Sequence, residues 1–448
     1  MKFIRISEVS AQPKLKFDFV KFQKGANMYK EEKITTQNGV EIYHYKNPNI
    51  NSFYISLFLR AGSIFEEHSG ITHFLEHIAI RNVGAVMNGE LYSTLDRCGI
   101  EFNATTYYEM VQFYVSGATC NFGTAAEIIA RVLSPIILSS SEISTERDRI
   151  KAEIREGDDR TSLSTFSNNI VHEGTKLSNL ITGTLGSVEK INGKRLEEYR
   201  RSVMTSDNIF FYVTGNYDDA CLERLTREIE KYTLEGGNKN ENIAPVCERF
   251  GKREPKVYIK NADFTMLRFC FDVDMTKISL PENDILYDML FSGYNSLFFI
   301  EMSEKRGLFY DISGYSEKYK NIGEFSFSFE VRSGMVYEAV ETAIALLSRF
   351  KNTTPDENTM MKASYVTNSP LLYDNSSELN FAFAYDNHIM DAGYTDIQDR
   401  AGSYAKVTPE RIREVASLIF RPENLTLTLK GNKKKIDTSI LEEIIKKL

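Results

Sequence analysis

Cysteine is scarce in this sequence. The five thiols, Cys98, Cys120, Cys221, Cys247 and Cys270, are scattered over 448 residues, are odd in number and never form a CxxC pair. This pattern argues against a disulfide framework and against a cysteine-rich metal site, and it suits a reducing compartment. We therefore expect a cytoplasmic protein.

Long apolar runs and an excess of positive charge are also missing. No apolar stretch approaches the roughly 20 residues that a membrane-spanning helix requires, and residues 1–19 lack the apolar core and cleavage site of a signal peptide. Acidic residues number 62 against 54 basic ones, and the net charge of -8 gives no electrostatic reason to expect nucleic acid or an anionic membrane as a partner. No phosphate-binding glycine loop follows a strand, so a nucleotide-dependent enzyme is not expected.

What the sequence does contain is an internal repeat with an interval of 216 residues, from position 208 to position 424. Residues 208–216 (NIFFYVTGN) have the pattern of a strand opened by Asn and closed by Gly-Asn, and residues 424–432 (NLTLTLKGN) repeat it. The helical apolar stripe just upstream recurs at the same interval, with Leu196, Tyr199 and Val203 matched by Ile412, Val415 and Ile419. A helix–strand unit that recurs in register indicates two structurally similar halves.

The composition is that of a globular protein, with 42% hydrophobic and 26% charged residues, and the length allows two domains of roughly 200 residues each. The polar stretch 236–242 (GGNKNEN) has no periodicity and marks the boundary between them. We predict an N-terminal domain at residues 1–235, a linker at 236–255 and a C-terminal domain at 256–448. Strands and helices in mixed order predict the α+β class, with each domain a largely antiparallel sheet covered by helices.

The most informative motif is residues 73–77, His-Phe-Leu-Glu-His. On a helix, for which Ser69 would be the N-cap, His73 and His77 lie one turn apart on one face and can bind the same zinc ion. Glu76 then lies beside the open position of the ion, where it can act as general base on the attacking water. In a chain with 6 histidines this pattern arises by chance only about 0.007 times, so zinc binding is favoured over a helix that merely carries two histidines.

A catalytic zinc ion needs a third protein ligand. Residues 141–156 (SEISTERDRIKAEIRE) form a highly charged helical pattern in which Ile143, Glu146, Ile150 and Glu153 share one stripe. Two carboxylates therefore lie on the apolar side that packs inward, which is costly unless a positive charge compensates them. Either glutamate is a candidate ligand on this argument.

The arrangement of these residues resembles the pitrilysin family of zinc peptidases, which includes insulin-degrading enzyme and the mitochondrial processing peptidases. The resemblance rests on the motif at 73–77 and on Glu153, which follows His77 by 76 residues in a Glu-Arg-x5-Glu setting. It implies that Glu153 is the third zinc ligand and that Glu146 supports a ligand histidine. It also implies that two homologous domains form a half-clamshell.

Other segments extend the resemblance over essentially the whole chain, most strongly in residues 53–156. Residues 99–105 (GIEFNAT) resemble the family's edge strand, to which the substrate backbone adds as a further strand. The substrate-binding residues implied are Phe102, Asn103, Ala104 and Thr105. The alternative for this segment is an ordinary turn that leads into a strand.

The sequence departs from the family pattern in residues 302–310 (MSEKRGLFY). Family members have an Arg and a Tyr here that hold the substrate carbonyl and the developing oxyanion. Tyr310 occupies the Tyr position and is the implied second catalytic residue, but Ser303 occupies the Arg position and cannot replace a guanidinium group. Three explanations remain open: Lys305 or Arg306 reaches the site, the enzyme works without the Arg, or a partner subunit supplies it.

We favour the partner subunit, a homologue that lacks zinc but carries an intact Arg–Tyr pair, which makes the protein a subunit of a heterodimer. The expected function is that of a zinc-dependent endopeptidase that cleaves short or unfolded peptides inside an enclosed chamber, in a peptide-processing role. The alternatives are a non-catalytic subunit of such a complex and a plain peptide- or metal-binding module.

Overall fold

A computed structural model describes residues 30–157, 163–240, 256–259, 263–293, 296–357, 359–360, 363–364 and 376–448. Residues 1–29 and all of the predicted linker beyond residue 240 lie outside this range. Across the described residues no helix combines the length and the apolar character needed to cross a membrane. The cysteines in this range, Cys98, Cys120, Cys221 and Cys270, are free thiols.

The first half of the chain builds a six-stranded sheet. Its strands are β1 (Glu32–Thr35), β2 (Glu41–Lys46), β3 (Ser52–Leu59), β4 (Glu101–Thr106), β5 (Val111–Ala118) and β6 (Ile209–Gly215). Its helices are α1 (Ile71–Val86), α2 (Leu91–Cys98), α3 (Phe122–Ala130), α4 (Ser140–Glu156), α5 (Leu163–Val171), α6 (Leu185–Glu189), α7 (Gly193–Val203) and α8 (Asp219–Ile229).

The strand order in this sheet is β1-β2-β6-β3-β5-β4, with a single parallel pair, β2 and β6. Alternate residues of the central strands, such as Phe53 and Ile55 of β3, belong to a buried core with helices α1, α3, α7 and α8. Because β4 is the last strand in the order, its outer edge is not paired by any strand of the described residues. Strand β4 also packs against the helix that carries the histidine motif.

The second half builds a five-stranded sheet in the order β7-β11-β8-β10-β9. The strands are β7 (Lys256–Ile259), β8 (Phe264–Asp274), β9 (Ile312–Lys318), β10 (Ile322–Arg332) and β11 (Leu425–Gly431). The helices are α9 (Leu280–Phe291), a π-helical segment (Phe299–Glu304), α10 (Val336–Lys351), α11 (Ser376–His388), α12 (Ile397–Ala405), α13 (Pro409–Ile419) and α14 (Thr438–Ile445). Its one parallel pair, β7 and β11, corresponds to the pair in the first sheet.

Two similar halves with largely antiparallel sheets confirm the predicted α+β class. Strands β6 and β11 begin 216 residues apart, as do helices α7 and α13, so the sequence repeat is also a structural one. The division into residues 1–235, 236–255 and 256–448 stays a prediction.

The asparagine that opens each repeated strand makes the same contacts in both halves. Asn208 Nδ2 donates to the carbonyl oxygens of Val203 at 2.8 Å and Arg60 at 3.1 Å. Asn424 Nδ2 donates to those of Ile419 at 2.8 Å and Asp272 at 2.9 Å. Each side chain is buried and binds the last carbonyl of a helix together with a carbonyl in or directly after the neighbouring strand, so Asn at this position joins helix to sheet.

The two halves exchange one helix each. The face of the first sheet that points away from α1 packs against α11 of the second half, through Phe58 and Phe210 on the sheet and Phe383 on the helix. In return α5 of the first half lies on β8 and β11 of the second sheet. The segment after α5 adds a hydrogen bond between the halves, which joins His172 Nε2 and Glu324 Oε2 at 3.1 Å.

Candidate active site

Helix α1 begins at a sharp turn rather than at a serine cap. Gly70 is the N-cap residue, with φ of 85°, and the Glu66 carboxylate accepts hydrogen bonds from the N–H groups of Gly70 at 2.7 Å and Thr72 at 3.1 Å. The prediction that Ser69 caps the helix is therefore wrong, because a buried carboxylate already satisfies these first N–H groups. Burial raises the pKa of Glu66 to about 7.

The two histidines of the motif lie one turn apart on α1, with ring centroids 4.6 Å apart. Helix α4 packs against α1 and brings Glu153 to them. Glu153 Oε1 lies 3.5 Å from His73 Nε2, and Glu153 Oε2 lies 3.4 Å from His77 Nε2. One potential ligand atom from each of the three residues lies within 4.8 Å of the others, and this is the single such group in the part of the chain that the structure describes.

The donor set fits a zinc ion. Burial, with a smaller contribution from the charge on His77, lowers the pKa of His73 to about 3, so its imidazole is neutral and Nε2 can donate a lone pair. Glu153 is the most exposed member, with 48% of its side chain accessible, which leaves one side of the group open. Two imidazoles and one carboxylate around an open side make up the ligand set of a catalytic zinc site.

Glu146 lies behind His77 and not among the converging atoms. Its Oε1 accepts a hydrogen bond from His77 Nδ1 at 3.2 Å, while Oε2 pairs with Arg81 at 3.1 Å and Arg149 at 3.3 Å. Burial raises the pKa of this carboxyl, but the hydrogen bond from His77 and the arginine charges outweigh it and hold the pKa below the usual range. An ionised Glu146 fixes the orientation of the imidazole and directs Nε2 toward Glu153.

The two arginines are residues that sequence reasoning missed. Arg81 follows His77 by four residues on α1, and Arg149 follows Glu146 by three on α4, so helical spacing was the signal that could have found them.

Glu76 is buried next to this group, with 8% of its surface exposed. Its Oε2 accepts a hydrogen bond of 2.6 Å from Thr106 Oγ1, at the end of β4. Burial raises the pKa of Glu76, and the contacts with Thr106 act in the opposite direction. Sequence reasoning missed Thr106, because only the packing of the edge strand on α1 brings its hydroxyl to Glu76.

All four residues predicted to bind the substrate backbone lie within β4, and their role in binding substrate stays a prediction. Asn103 and Thr105 are exposed, whereas Phe102 and Ala104 pack against the core beneath the strand. β4 pairs with β5 on one side, its other edge is not paired by any strand of the described residues, and one face of the strand packs against the helix that carries Glu76. The edge is therefore available to an extended peptide.

The structure does not join the second-half segment to this group. Tyr310 is 97% exposed, and within the described residues it makes no hydrogen bond or ion pair. Ser303 Oγ donates to the carbonyl oxygen of Phe309 at 3.0 Å. Lys305 and Arg306 both pair with Glu301, at 2.9 Å and 3.4 Å, so neither cation is directed to the histidines.

Comparison with known proteins gives two family matches. Residues 42–186 match the family described as Insulinase (Peptidase family M16), and residues 190–364 match the one described as Peptidase M16 inactive domain.

Curated relatives include an uncharacterized zinc protease of Bacillus subtilis, which is 23% identical over 71% of this chain and 78% of its own length. One of Rickettsia felis is 24% identical over 86% of this chain and 90% of its own length. The beta subunit of the mitochondrial-processing peptidase of Saccharomyces cerevisiae is 26% identical over 44% of this chain and 42% of its own.

Solved structures agree in fold. A peptidase M16 inactive domain from Pseudomonas fluorescens superimposes with a TM-score of 0.80 at 13% identity and covers 90% of this chain and 98% of its own. A protease from Helicobacter pylori gives 0.76 at 18% identity, with 90% and 100% covered. At these identities the likeness shows the fold alone.

Proposed function

The chain belongs to the M16 (insulinase) family of peptidases, whose pitrilysin-type motif it carries, and from this premise we propose that it is a zinc-dependent endopeptidase. Its substrates are short or unfolded peptides, cleaved in an enclosed chamber as part of a peptide-processing role. The observation that carries the proposal is the convergence of His73, His77 and Glu153 within 4.8 Å beside a buried glutamate. Curated relatives named as zinc proteases support the same chemistry.

The three converging residues would hold the zinc ion, which supplies positive charge that polarises a peptide carbonyl and makes water a better nucleophile. Glu76 is the general base: it takes a proton from the attacking water and returns it to the leaving amine. Burial suits it to this task because a raised pKa makes the carboxylate a stronger base, while Thr106 holds Oε2 in place. Glu146 keeps the ring of His77 in one orientation.

The free edge of β4 supports the proposed substrate class. A peptide that adds to this edge as a further strand forms backbone hydrogen bonds and lies next to Glu76. Only a segment that can become extended fits this arrangement, so short or unfolded peptides are cleaved and folded domains are not. Phe102, Asn103, Ala104 and Thr105 are the proposed binding residues.

We also propose that the active form is a heterodimer with a zinc-lacking homologue. Ser303 at the Arg position and the exposed Tyr310 support a site completed by another subunit, in which Tyr310 or its counterpart stabilises the oxyanion. The yeast relative is itself named as a subunit. A cytoplasmic location is supported by the free thiols of the described residues.

A non-catalytic or peptide-binding subunit is the second candidate. The observation that favours it is the match of residues 190–364 to a family described as inactive. Intact candidate ligands and a buried Glu76 favour catalysis in the first half.

The test is cleavage of a mixed set of unstructured fluorogenic peptides by the purified, zinc-loaded chain, with Glu76→Gln as the blank. Cleavage that the blank lacks establishes the peptidase. If the chain retains zinc but cleaves nothing, the assay is repeated with an added homologue of the same family that lacks the zinc motif. Silence from that assembly as well would refute the peptidase and leave the peptide-binding subunit.

A further inference from the structure

A cavity of about 500 Å³ opens on the face of the first sheet that lies opposite α1. We call it the aromatic cavity and define it by Tyr54, Thr105, Tyr107, Tyr114, Phe381 and Ala382. The rings of Tyr54 and Tyr114 stack with centroids 4.9 Å apart, and those of Tyr107 and Phe381 lie 5.6 Å apart. Four aromatic rings therefore border one space large enough for a big side chain.

The aromatic cavity reaches the edge strand. Successive side chains of a strand point to opposite faces of a sheet. Thr106 points toward Glu76 on the α1 face, and its neighbour Thr105 lines the cavity on the other face. β5 alternates in the same way, since Phe113 belongs to the core under α1 while Tyr114 lines the cavity. The candidate catalytic carboxylate and the cavity thus lie on the two faces of one strand.

A peptide on the outer edge of β4 would continue this alternation. Side chains level with Thr106 would point toward Glu76, and the residue level with Thr105 would point toward the cavity. We propose that the aromatic cavity is a specificity pocket that selects an aromatic side chain one residue away from those that face Glu76. This inference rests on the proposed function, because it requires the peptide to bind along β4.

The lining, which includes Glu378, favours an aromatic side chain over an acidic one. Offset and edge-to-face contacts between rings at 4.5–7 Å stabilise an aromatic guest beyond the effect of burial alone. Arg400 also borders the cavity, but Asp386 pairs with it at 3.0 Å. The charge of Asp386 weakens the attraction of Arg400 for an acidic guest. The Glu101 carboxylate, which accepts a hydrogen bond from the Tyr114 hydroxyl at 2.8 Å, repels an acidic guest further.

The first test is a set of otherwise identical unstructured peptides in which phenylalanine, leucine, lysine or alanine stands at each position near the cleaved bond. We expect phenylalanine to raise kcat/KM roughly tenfold or more over alanine at one position. Tyr54→Ala is expected to reduce that ratio toward one. Tyr92→Ala, on the exposed surface of α2, is the control and should leave the ratio unchanged.

Equal rates for all guests, or a preference that Tyr54→Ala does not alter, would overturn the pocket while leaving the peptidase intact. If no assembly cleaves any peptide, the result refutes the proposed function itself and is thereby distinguished from a failure of the pocket. Phe381→Ala, on the helix that covers the cavity, replaces Tyr54→Ala if that variant does not fold.

A second measurement needs no turnover. Peptides with p-benzoylphenylalanine at successive positions are bound to the Glu76→Gln chain, irradiated and mapped by mass spectrometry. Adducts on the cavity residues from one position, and not from its two neighbours, support the pocket. Adducts confined to the α1 face, or none on the cavity from any position, overturn it.

Discussion

Replacing Thr106 by valine tests the link between the edge strand and the general base. The variant keeps the shape of the side chain but removes the hydroxyl that donates to Glu76 Oε2 at 2.6 Å. A hydrogen bond to an ionised group contributes about 1.5–3 kcal/mol. Because the bond favours the charged form, its loss raises the pKa of Glu76 further and leaves less carboxylate at low pH.

At 1.36 kcal/mol per factor of ten, this loss corresponds to a fall in kcat/KM of roughly 10- to 150-fold on the acidic side of the pH profile. The acidic limb is expected to move to higher pH, and the deficit should shrink as pH rises. The assay is kcat/KM for one fluorogenic peptide across the pH range, with zinc content measured in every sample.

Thr106→Ser is the matched control, because it retains the hydroxyl and should restore the profile. The reasoning is refuted if the valine variant binds zinc normally and its acidic limb does not move. A uniform loss at all pH values would point instead to a role of Thr106 in strand position alone.

Three further predictions concern the metal, the repeat and a buried carboxyl. Glu153→Ala should weaken zinc binding by more than about 100-fold, measured by metal analysis after dialysis against a chelator, whereas the exposed His68→Ala should not. Asn208→Ala and Asn424→Ala should each lower the free energy of unfolding by about 1–3 kcal/mol in urea titrations, since each removes two hydrogen bonds to main-chain carbonyls; losses below about 0.5 kcal/mol would contradict this. Burial raises the pKa of Glu109 from 4.5 to about 8, so the stability that its protonated form provides is present below pH 4.5 and lost as pH rises toward 8. Glu109→Gln should reduce the loss of unfolding free energy between pH 4.5 and pH 8 by roughly 3–5 kcal/mol. An unchanged slope of unfolding free energy against pH would count against the burial argument.

Sequence was sufficient where the signal is local to one element. The repeat could be read because a helical stripe, an asparagine and an alternating strand follow one another within about 25 residues, and both copies have the same spacing in the structure. The histidine pair needs only the pitch of one helix. The stripe on α4 left Glu146 and Glu153 as alternative ligands, the family resemblance implied Glu153, and the structure brings Glu153 to both Nε2 atoms.

Sequence was insufficient where a contact joins distant elements. Which side chain of β4 faces Glu76 depends on how the edge strand packs on α1, so Thr106 carried no signal of its own. Glu66 replaced Ser69 at the start of α1 because the chain turns back at Gly70. The role of Tyr310 stays a prediction, because its side chain is solvent-exposed and a second subunit is not part of this chain.

The exchange of α5 and α11 has a consequence for how the chain can be divided. Cutting the backbone between residues 240 and 256 would not release two independent folding units, because each fragment would lose the helix that covers one face of its sheet. The first fragment alone would expose Phe58 and Phe210, which Phe383 and its neighbours now cover. A single proteolytic nick should therefore yield two fragments that stay associated and elute together, held by their reciprocal helices.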